Sequence, residues 1–279
     1  MSAAVMRSAG FVWRCGAFSF ELGRPKQPLV MGILNVTPDS FSDGGQDAHT
    51  DDAIARGLKL AEQGAQIVDI GGESTRPGYT PVSIDEELAR TIPVVQALAA
   101  AGVCVSIDTH KPAVMRAALA AGAAIINDVN ALRHNESLYL AMTTDCGIVI
   151  MDGFSTADQM DKQAGIGLHK RLATRHSELL DEFITSDRIV IDPGLGFDKT
   201  YDNNLECMTL MPALVHTAPV LIGISNKSVL GKITGRAVAG RAAANVAATL
   251  IAAQRGAAVL RVHDVAGTVD MLKVWRALG

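Results

Sequence analysis

Long hydrophobic runs are missing from this chain. No stretch approaches the roughly 20 apolar residues that a membrane-spanning helix requires, and the N-terminus has no continuous apolar segment ahead of a cleavage site. Cysteine is scarce: Cys15, Cys104, Cys146 and Cys207 are scattered without C-x-x-C spacing, which points to buried reduced thiols in a cytosolic protein. An excess of positive charge is absent too. With 25 Lys and Arg against 29 Asp and Glu, the formal charge of −4 offers no basic face for nucleic acid. These features predict a soluble, cytoplasmic protein and favour a small anionic metabolite as its partner. What is present is apolar material, 48% hydrophobic against 19% charged residues, enough for a sizeable core. A length of 279 residues suits one α/β barrel domain.

Eight short apolar runs supply the pattern: Leu29 to Leu34, Ile67 to Ile70, Val103 to Ile107, Ala124 to Ile126, Ile148 to Met151, Arg188 to Ile191, Val220 to Ile224 and Val259 to Val262. None alternates strictly, so each predicts a strand buried on both faces, as in a parallel sheet. Ala-rich stretches such as Ile84 to Ala101 and Ala242 to Arg255 predict helices between them. Strand then helix, repeated eight times, predicts a (β/α)8 TIM barrel over residues 29–279. Residues 1–28 differ, with Phe11, Trp13, Phe18 and Phe20 alternating around Cys15-Gly16, and predict a β-hairpin extension lidding the barrel bottom. Gly64, Gly102, Gly122, Gly147 and Gly256 precede strands, where a left-handed glycine ends a helix. Ser83 and Glu86 have capping-box spacing. The polar stretch from Gly153 onward predicts a loop, with a helix only from His176 to Ile184.

Each run ends in a residue able to do polar chemistry: Asn35, Asp69, Asp108, Asn127, Asp152, Asp192, Asn226 and His263. In a barrel these strand ends share one mouth. Asp108 and Asp192, with Asn127 between them, suit two parallel hydrogen bonds from the NH edge of a planar heterocycle; a carboxylate in such a place otherwise caps a helix or ties down a loop. Arg261 and His263 point the same way from strand eight and form a cationic corner for a phosphate, unless the arginine pairs with a core carboxylate. Asn35, on the neighbouring strand, offers an oxygen to a hard cation such as Mg²⁺. Lys227 and Ser228 open a helix, whose start favours an anion. Two loops rich in Gly, Pro, Ser and Asp, 35–45 and 74–78, have the character of connections able to close over a substrate.

Several of these segments are long and specific: Met31 to Gly45 (MGILNVTPDSFSDGG), Gly71 to Gly78 (GGESTRPG), Asp108-Thr109-His110-Lys111-Pro112, Ile126-Asn127-Asp128, Asp192 to Phe197 (DPGLGF), Lys227-Ser228 and Arg261-Val262-His263-Asp264. From about residue 12 to its end the chain resembles the dihydropteroate synthases. That resemblance implies displacement of pyrophosphate from 6-hydroxymethyl-7,8-dihydropterin diphosphate by the amine of p-aminobenzoate, in folate synthesis. It implies that Asp108, Asn127, Asp192 and Lys227 hold the pterin, and that Asn35, Arg261, His263 and Mg²⁺ hold the diphosphate, with Asn35 as the metal ligand. Thr75, Arg76, Pro77 and Ser228 would shape the p-aminobenzoate pocket, and Phe197 joins the substrate-binding set. Arg261, Lys227, Asp108 and Asp192 would carry the catalysis, so Arg261→Ala should cut turnover and spare pterin binding. The family also implies a homodimer, joined through the Ala-rich C-terminal helices, and a target for sulfonamides.

Two positions depart from the family. Its usual Met-His-Met after strand five is Met151-Asp152-Gly153 here, which predicts an acidic side chain at the rim of the pterin pocket. Its usual Ser-Arg-Lys-Ser after strand seven is Ser225-Asn226-Lys227-Ser228, one cation fewer near the carboxylate of p-aminobenzoate. Two alternatives follow: a paralogue that binds pterin with little or no turnover, and a methyltetrahydrofolate-dependent methyltransferase of the same superfamily. The Arg261/His263 corner argues against the latter, which has no diphosphate to hold.

Overall fold

The computed structural model describes residues 11–23, 27–37, 46–73, 81–153, 164–197 and 199–279. Two antiparallel strands come first, β1 (Phe11–Cys15) and β2 (Phe18–Leu22), joined through Gly16. The barrel strands are β3 (Leu29–Asn35), β4 (Ile67–Gly71), β5 (Val105–Asp108), β6 (Ile125–Asp128), β7 (Gly147–Met151), β8 (Ile189–Asp192), β9 (Leu221–Ile222) and β10 (Val259–Val262). They pair in parallel in the order β8-β7-β6-β5-β4-β3-β10-β9, and a bridge between Ile191 and Val220 joins the edges into a ring.

Helices cover the outside: α1 (Gln46–Glu62), α2 (Ile84–Ala100), α3 (Pro112–Ala120), α4 (Asn135–Thr143), α5 (Ala164–Asp181), α6 (Tyr201–Thr209), α7 (Met211–Leu214), α8 (Ser228–Thr234), α9 (Ala242–Gln254) and α10 (Val265–Leu278). Ser83 Oγ accepts the Glu86 N–H and starts α2 as its spacing predicted. Outward strand residues such as Val30, Leu34, Val68, Ile70, Val105 and Ile107 pack into one core with the helices. No helix among the described residues is long and apolar enough to cross a membrane.

Inward residues of the lower barrel form a second core: Met31, Ile67, Ile125, Val149, Val190, Leu221 and Val259 meet Trp13, Cys15 and Leu22 of the hairpin. The hairpin therefore plugs the barrel bottom. Its fully buried Trp13 ring donates Nε1–H to the Arg188 carbonyl at 2.9 Å, so the polar end of a large apolar side chain is satisfied. Arg14 adds an exposed ion pair with Asp187. All four cysteines are buried free thiols.

Two expectations need correction. Gly64, Gly102, Gly122 and Gly256 have positive φ, but Gly147 is a strand residue. Its value is space, because a Cβ there would overlap Cys15 Sγ. The helix expected over His176 to Ile184 is longer and starts earlier, at Ala164. Leu168, Leu172 and Leu179 lie buried along one helical face, a stripe that the intervening His169, Lys170, Arg171 and Arg175 obscure in the sequence.

Candidate active site

Alternation along the strands lifts a polar layer directly above the apolar plug. Two residues beyond Ile67 stands Asp69, beyond Ile125 stands Asn127, beyond Val190 stands Asp192, and beyond Val259 stands Arg261. Register sets Asp69 beside Ser106, and Asp108 beside Asn127. Arg261 joins them across the barrel. Its Nε donates to Asp69 Oδ2 at 2.6 Å and its Nη2 to Asp108 Oδ2 at 2.5 Å. Asn127 Nδ2 donates to the same Asp69 oxygen at 3.2 Å.

Asp69 has no exposed surface, so its charge is tolerable only because a guanidinium and an amide meet it. The opposite faces of the cluster are unsatisfied. Asp69 Oδ1, Asp108 Oδ1, Asn127 Oδ1 and Ser106 Oγ are buried without a hydrogen-bond partner among the described residues. Buried polar atoms nearly always have partners. Three carbonyl-type acceptors side by side without donors suit a ligand that brings several N–H groups.

Asp192 lies at the next corner, one oxygen accepting the Gly194 N–H at 2.7 Å. It thus ties down its own loop as well as facing the mouth. Lys227 enters from the N-terminal side of α8 and lies over the Phe197 ring, Nζ 4.3 Å from its centroid. Burial, reinforced by Arg261, brings the Lys227 ammonium down to about 8. Burial raises the Asp108 carboxyl against the pull of Arg261, with Asp69 adding to the rise. Asp192 is raised for the same first reason, opposed by the Gly194 N–H and Lys227. The site therefore holds carboxylates whose charge is costly unless a cation or donor meets it, beside a lysine that gives up its proton readily.

At the rim, Asn35 ends β3, its Oδ1 near Gly71, and the neighbouring β10 leads into His263. His263 Nδ1 is 3.1 Å from Ser225 Oγ. Ser228 is the exposed first residue of α8. Thr75, Arg76 and Pro77 lie outside the described residues, as do residues 38–45 of the first loop.

The two departures are both engaged. Asp152 is clasped by Arg171 through two 2.8 Å bonds, and Lys199 Nζ lies 3.4 Å from its carboxylate. Its charge is met by cations from α5 and the β8–α6 connection. Asn226 has a left-handed backbone, φ 61°, and forms a reciprocal pair with Asn245: its N–H donates to Asn245 Oδ1 and its Oδ1 accepts Asn245 Nδ2. Arg241 brings a guanidinium to the carbonyls of Asn226 and Lys227, 3.3 Å from each.

In the sequence Asp69 is one of the eight strand ends, and the alternative in which Arg261 pairs with a core carboxylate is the one the structure shows, with Asp69 as that carboxylate. A carboxylate inside Ile67-Val68-Asp69-Ile70 was the available signal, since a buried charge requires a partner. Arg261 bonds both Asp69 and Asp108, so the arginine of the expected cationic corner and one of the carboxylates expected to meet a ring belong to one hydrogen-bonded cluster.

An eight-stranded parallel barrel with acceptor-lined upper walls, a buried guanidinium and a poised lysine defines a barrel enzyme for a planar, donor-rich ring. Comparison with known proteins agrees. The family described as pterin binding enzyme matches residues 31–263. Dihydropteroate synthase of Neisseria meningitidis serogroup C is 44% identical, over 97% of this chain and 99% of its own. Dihydropteroate synthase of Xanthomonas albilineans, solved with 4-aminobenzoic acid, is 46% identical with a TM-score of 0.90, covering 97% of this chain and 98% of that one. That of Burkholderia cenocepacia, complexed with 7,8-dihydropteroate, is 42% identical with a TM-score of 0.84, covering 96% of each chain. The chain belongs to the dihydropteroate synthase family.

Proposed function

We propose that this mouth condenses 6-hydroxymethyl-7,8-dihydropterin diphosphate with p-aminobenzoate. The carrying observation is the row of buried acceptors without donors among the described residues, Asp69 Oδ1, Asp108 Oδ1 and Asn127 Oδ1, beside Arg261. A dihydropterin edge presents N–H groups that would fill them. Asp192 and Lys227 complete the ring site, with Phe197 supporting the lysine.

In the reaction the amine nitrogen bonds to the pterin methylene carbon, and the carbon–oxygen bond to the diphosphate breaks. The leaving diphosphate takes the electron pair and the amine loses a proton. Positive charge develops on the pterin as the diphosphate departs, in the manner of SN1, and the carboxylates under the ring offset it. Arg261 and His263 face the opposite charge on the leaving group. Ser228, together with Thr75, Arg76 and Pro77, belongs to the p-aminobenzoate side by family resemblance.

Among the described residues no cluster of three His, Cys, Asp or Glu side chains could hold a metal by itself. Asn35 supplies one neutral oxygen, which fits Mg²⁺ if diphosphate and water oxygens complete its shell. Bound there, Mg²⁺ would neutralise charge on the leaving diphosphate. The same proposal includes a cytoplasmic location, to which the buried free thiols are suited, and a homodimer. Ile251, Val274 and Leu278, exposed on α9 and α10, favour the dimer.

Purified protein supplied with Mg²⁺, the dihydropterin diphosphate and p-aminobenzoate should release pyrophosphate and dihydropteroate in equal amounts. No product above a control without protein would sink the proposal.

A further inference from the structure

Asp152, the acidic departure after β7, meets the connection after β8 through its backbone as well as its side chain. Its N–H donates to the Asp192 carbonyl at 3.0 Å, and its own carbonyl accepts Lys199 Nζ at 2.7 Å. Lys199 Nζ also lies 3.4 Å from the Phe197 carbonyl and 3.4 Å from the Asp152 carboxylate. The same carboxylate takes the pair of bonds from Arg171 of α5. With the Asp152 side chain 16% exposed and that of Lys199 10%, water screens these charges weakly.

Asp152 therefore grips both ends of the 192–197 connection, at Asp192 directly and at Phe197 through Lys199. Between them the two segments approach so closely that residue 194 has no room for a side chain: Gly194 has φ 67°, and a Cβ there would overlap the Asp152 carbonyl. The connection forms one wall of the ring site. Phe197 packs with Val129 and Met151 in a small apolar cluster of its own. Lys227 Nζ lies over the Phe197 ring, and its stem runs past Gly196, where a Cβ would stand 2.8 Å from Lys227 Cδ. The charges that act on this ammonium are Asp192, Asp108, Arg261 and Lys199. The Asp152 network and the buried lysine of the mouth thus meet at one aromatic ring.

We infer that Asp152 is a positioning residue: with Lys199 and Arg171 it fixes the 192–197 connection, holds Phe197 against Lys227 and so sets affinity for the ring substrate. In taking that ring to be a pterin, the inference rests on the synthase reading. Lys199→Met in the full chain removes the grip on Phe197. It should lower affinity for 6-hydroxymethylpterin about tenfold, while the KM for p-aminobenzoate at saturating dihydropterin diphosphate stays within about twofold. The N–H groups of Gly194, Gly196 and Phe197 are bonded to Asp192, Asn204 and Gly194. Their exchange in the unliganded protein should quicken about tenfold while the barrel strands keep their protection. Asp152→His, which restores the usual family side chain, tests the sign. If the acid merely weakened the site, histidine would tighten pterin binding; a tether that needs its carboxylate predicts a loss of about fivefold, because Arg171 and Lys199 are left without a counter-charge. Asp152→Asn keeps the side-chain shape and should move both readings in the same direction by a smaller factor; it decides the matter if the other variants do not fold. Tighter pterin binding by Asp152→His, or unchanged exchange over 194–197 in Lys199→Met, overturns the inference. So does an equal loss for pterin and arylamine, which general loosening of the mouth would give. A parent protein that releases no pyrophosphate would defeat the synthase reading instead, and exchange over 194–197 would still test the tether.

Discussion

The lower and upper halves of this barrel are built from the same strands and differ by two residues along each. Below, Met31, Ile67, Ile125, Val149, Val190 and Val259 close on Trp13 and leave little unsatisfied. Above, Asp69, Asn127, Asp192 and Arg261 project from those strands, and buried acceptors there have no donor among the described residues. The contrast teaches that the hairpin plug and helix packing stabilise the fold, whereas the mouth retains polar atoms that no described residue satisfies and that a donor-bearing ligand would.

Arg261→Met should test this most severely. It strips the cation from two buried carboxylates, at a cost of about 3–5 kcal/mol, and should lower turnover by about a thousandfold or more together with pterin affinity. Urea unfolding, pyrophosphate release and titration with 6-hydroxymethylpterin read the three effects. Intact stability would mean that water, not Arg261, balances Asp69. Next in size is Trp13→Ala at the opposite end. Loss of a buried indole should cost about 3–5 kcal/mol, yet turnover per folded molecule should stay within about twofold. A large change in kcat at full folding would erase the division between plug and mouth.

Much of the upper half was legible because strand ends are fixed by topology. Once eight buried runs alternate with helices, Asn35, Asp108, Asn127, Asp192 and His263 must share a mouth. The pairing of Asp69 with Arg261 was not legible, because the two stand 192 positions apart and apolar neighbours flank Asp69. Asp152 was expected at the rim of the pterin pocket, but nothing in the sequence links it to Arg171. The start of α5 was hidden by polar side chains that are themselves engaged: Arg171 with Asp152, and Arg175 with the carbonyls of Ala131 and Leu132. Periodicity reports which face is apolar; it does not report which charges meet across the fold.

The mouth should also respond to pH where the plug does not. Lys227 is charged below about pH 8 and loses its proton above it. Affinity for the dihydropterin diphosphate should therefore be steady near neutrality and weaken above pH 8 by up to about tenfold per unit. Stability moves the other way. An unfolded lysine keeps its proton to about 10.5, so between pH 8 and 10.5 the unfolded state binds more protons and this group's contribution to folding stability rises with pH. Lys227→Met should remove both trends. A parent protein whose affinity is flat from pH 7 to pH 9.5 would show that the lysine does not donate to the bound pterin.

The smallest effect is expected at the rim, where the chain departs from its family. Asn226→Arg would restore the cation usual there, but in a left-handed backbone that asparagine tolerates better. It would also break the reciprocal pair with Asn245. Together these should cost about 1–2 kcal/mol. With Arg241 already at the carbonyls of Asn226 and Lys227, a second guanidinium should lower the KM for p-aminobenzoate by only about twofold to threefold. Pterin affinity, which on the proposed reading is set deeper by Asp69, Asp108 and Asn127, should not move. A tenfold gain would mean that Arg241 does not reach the bound carboxylate and that the rim lacks its cation. A shift in pterin affinity would mean that rim and polar layer are one unit, and the boundary drawn between them would have to move upward.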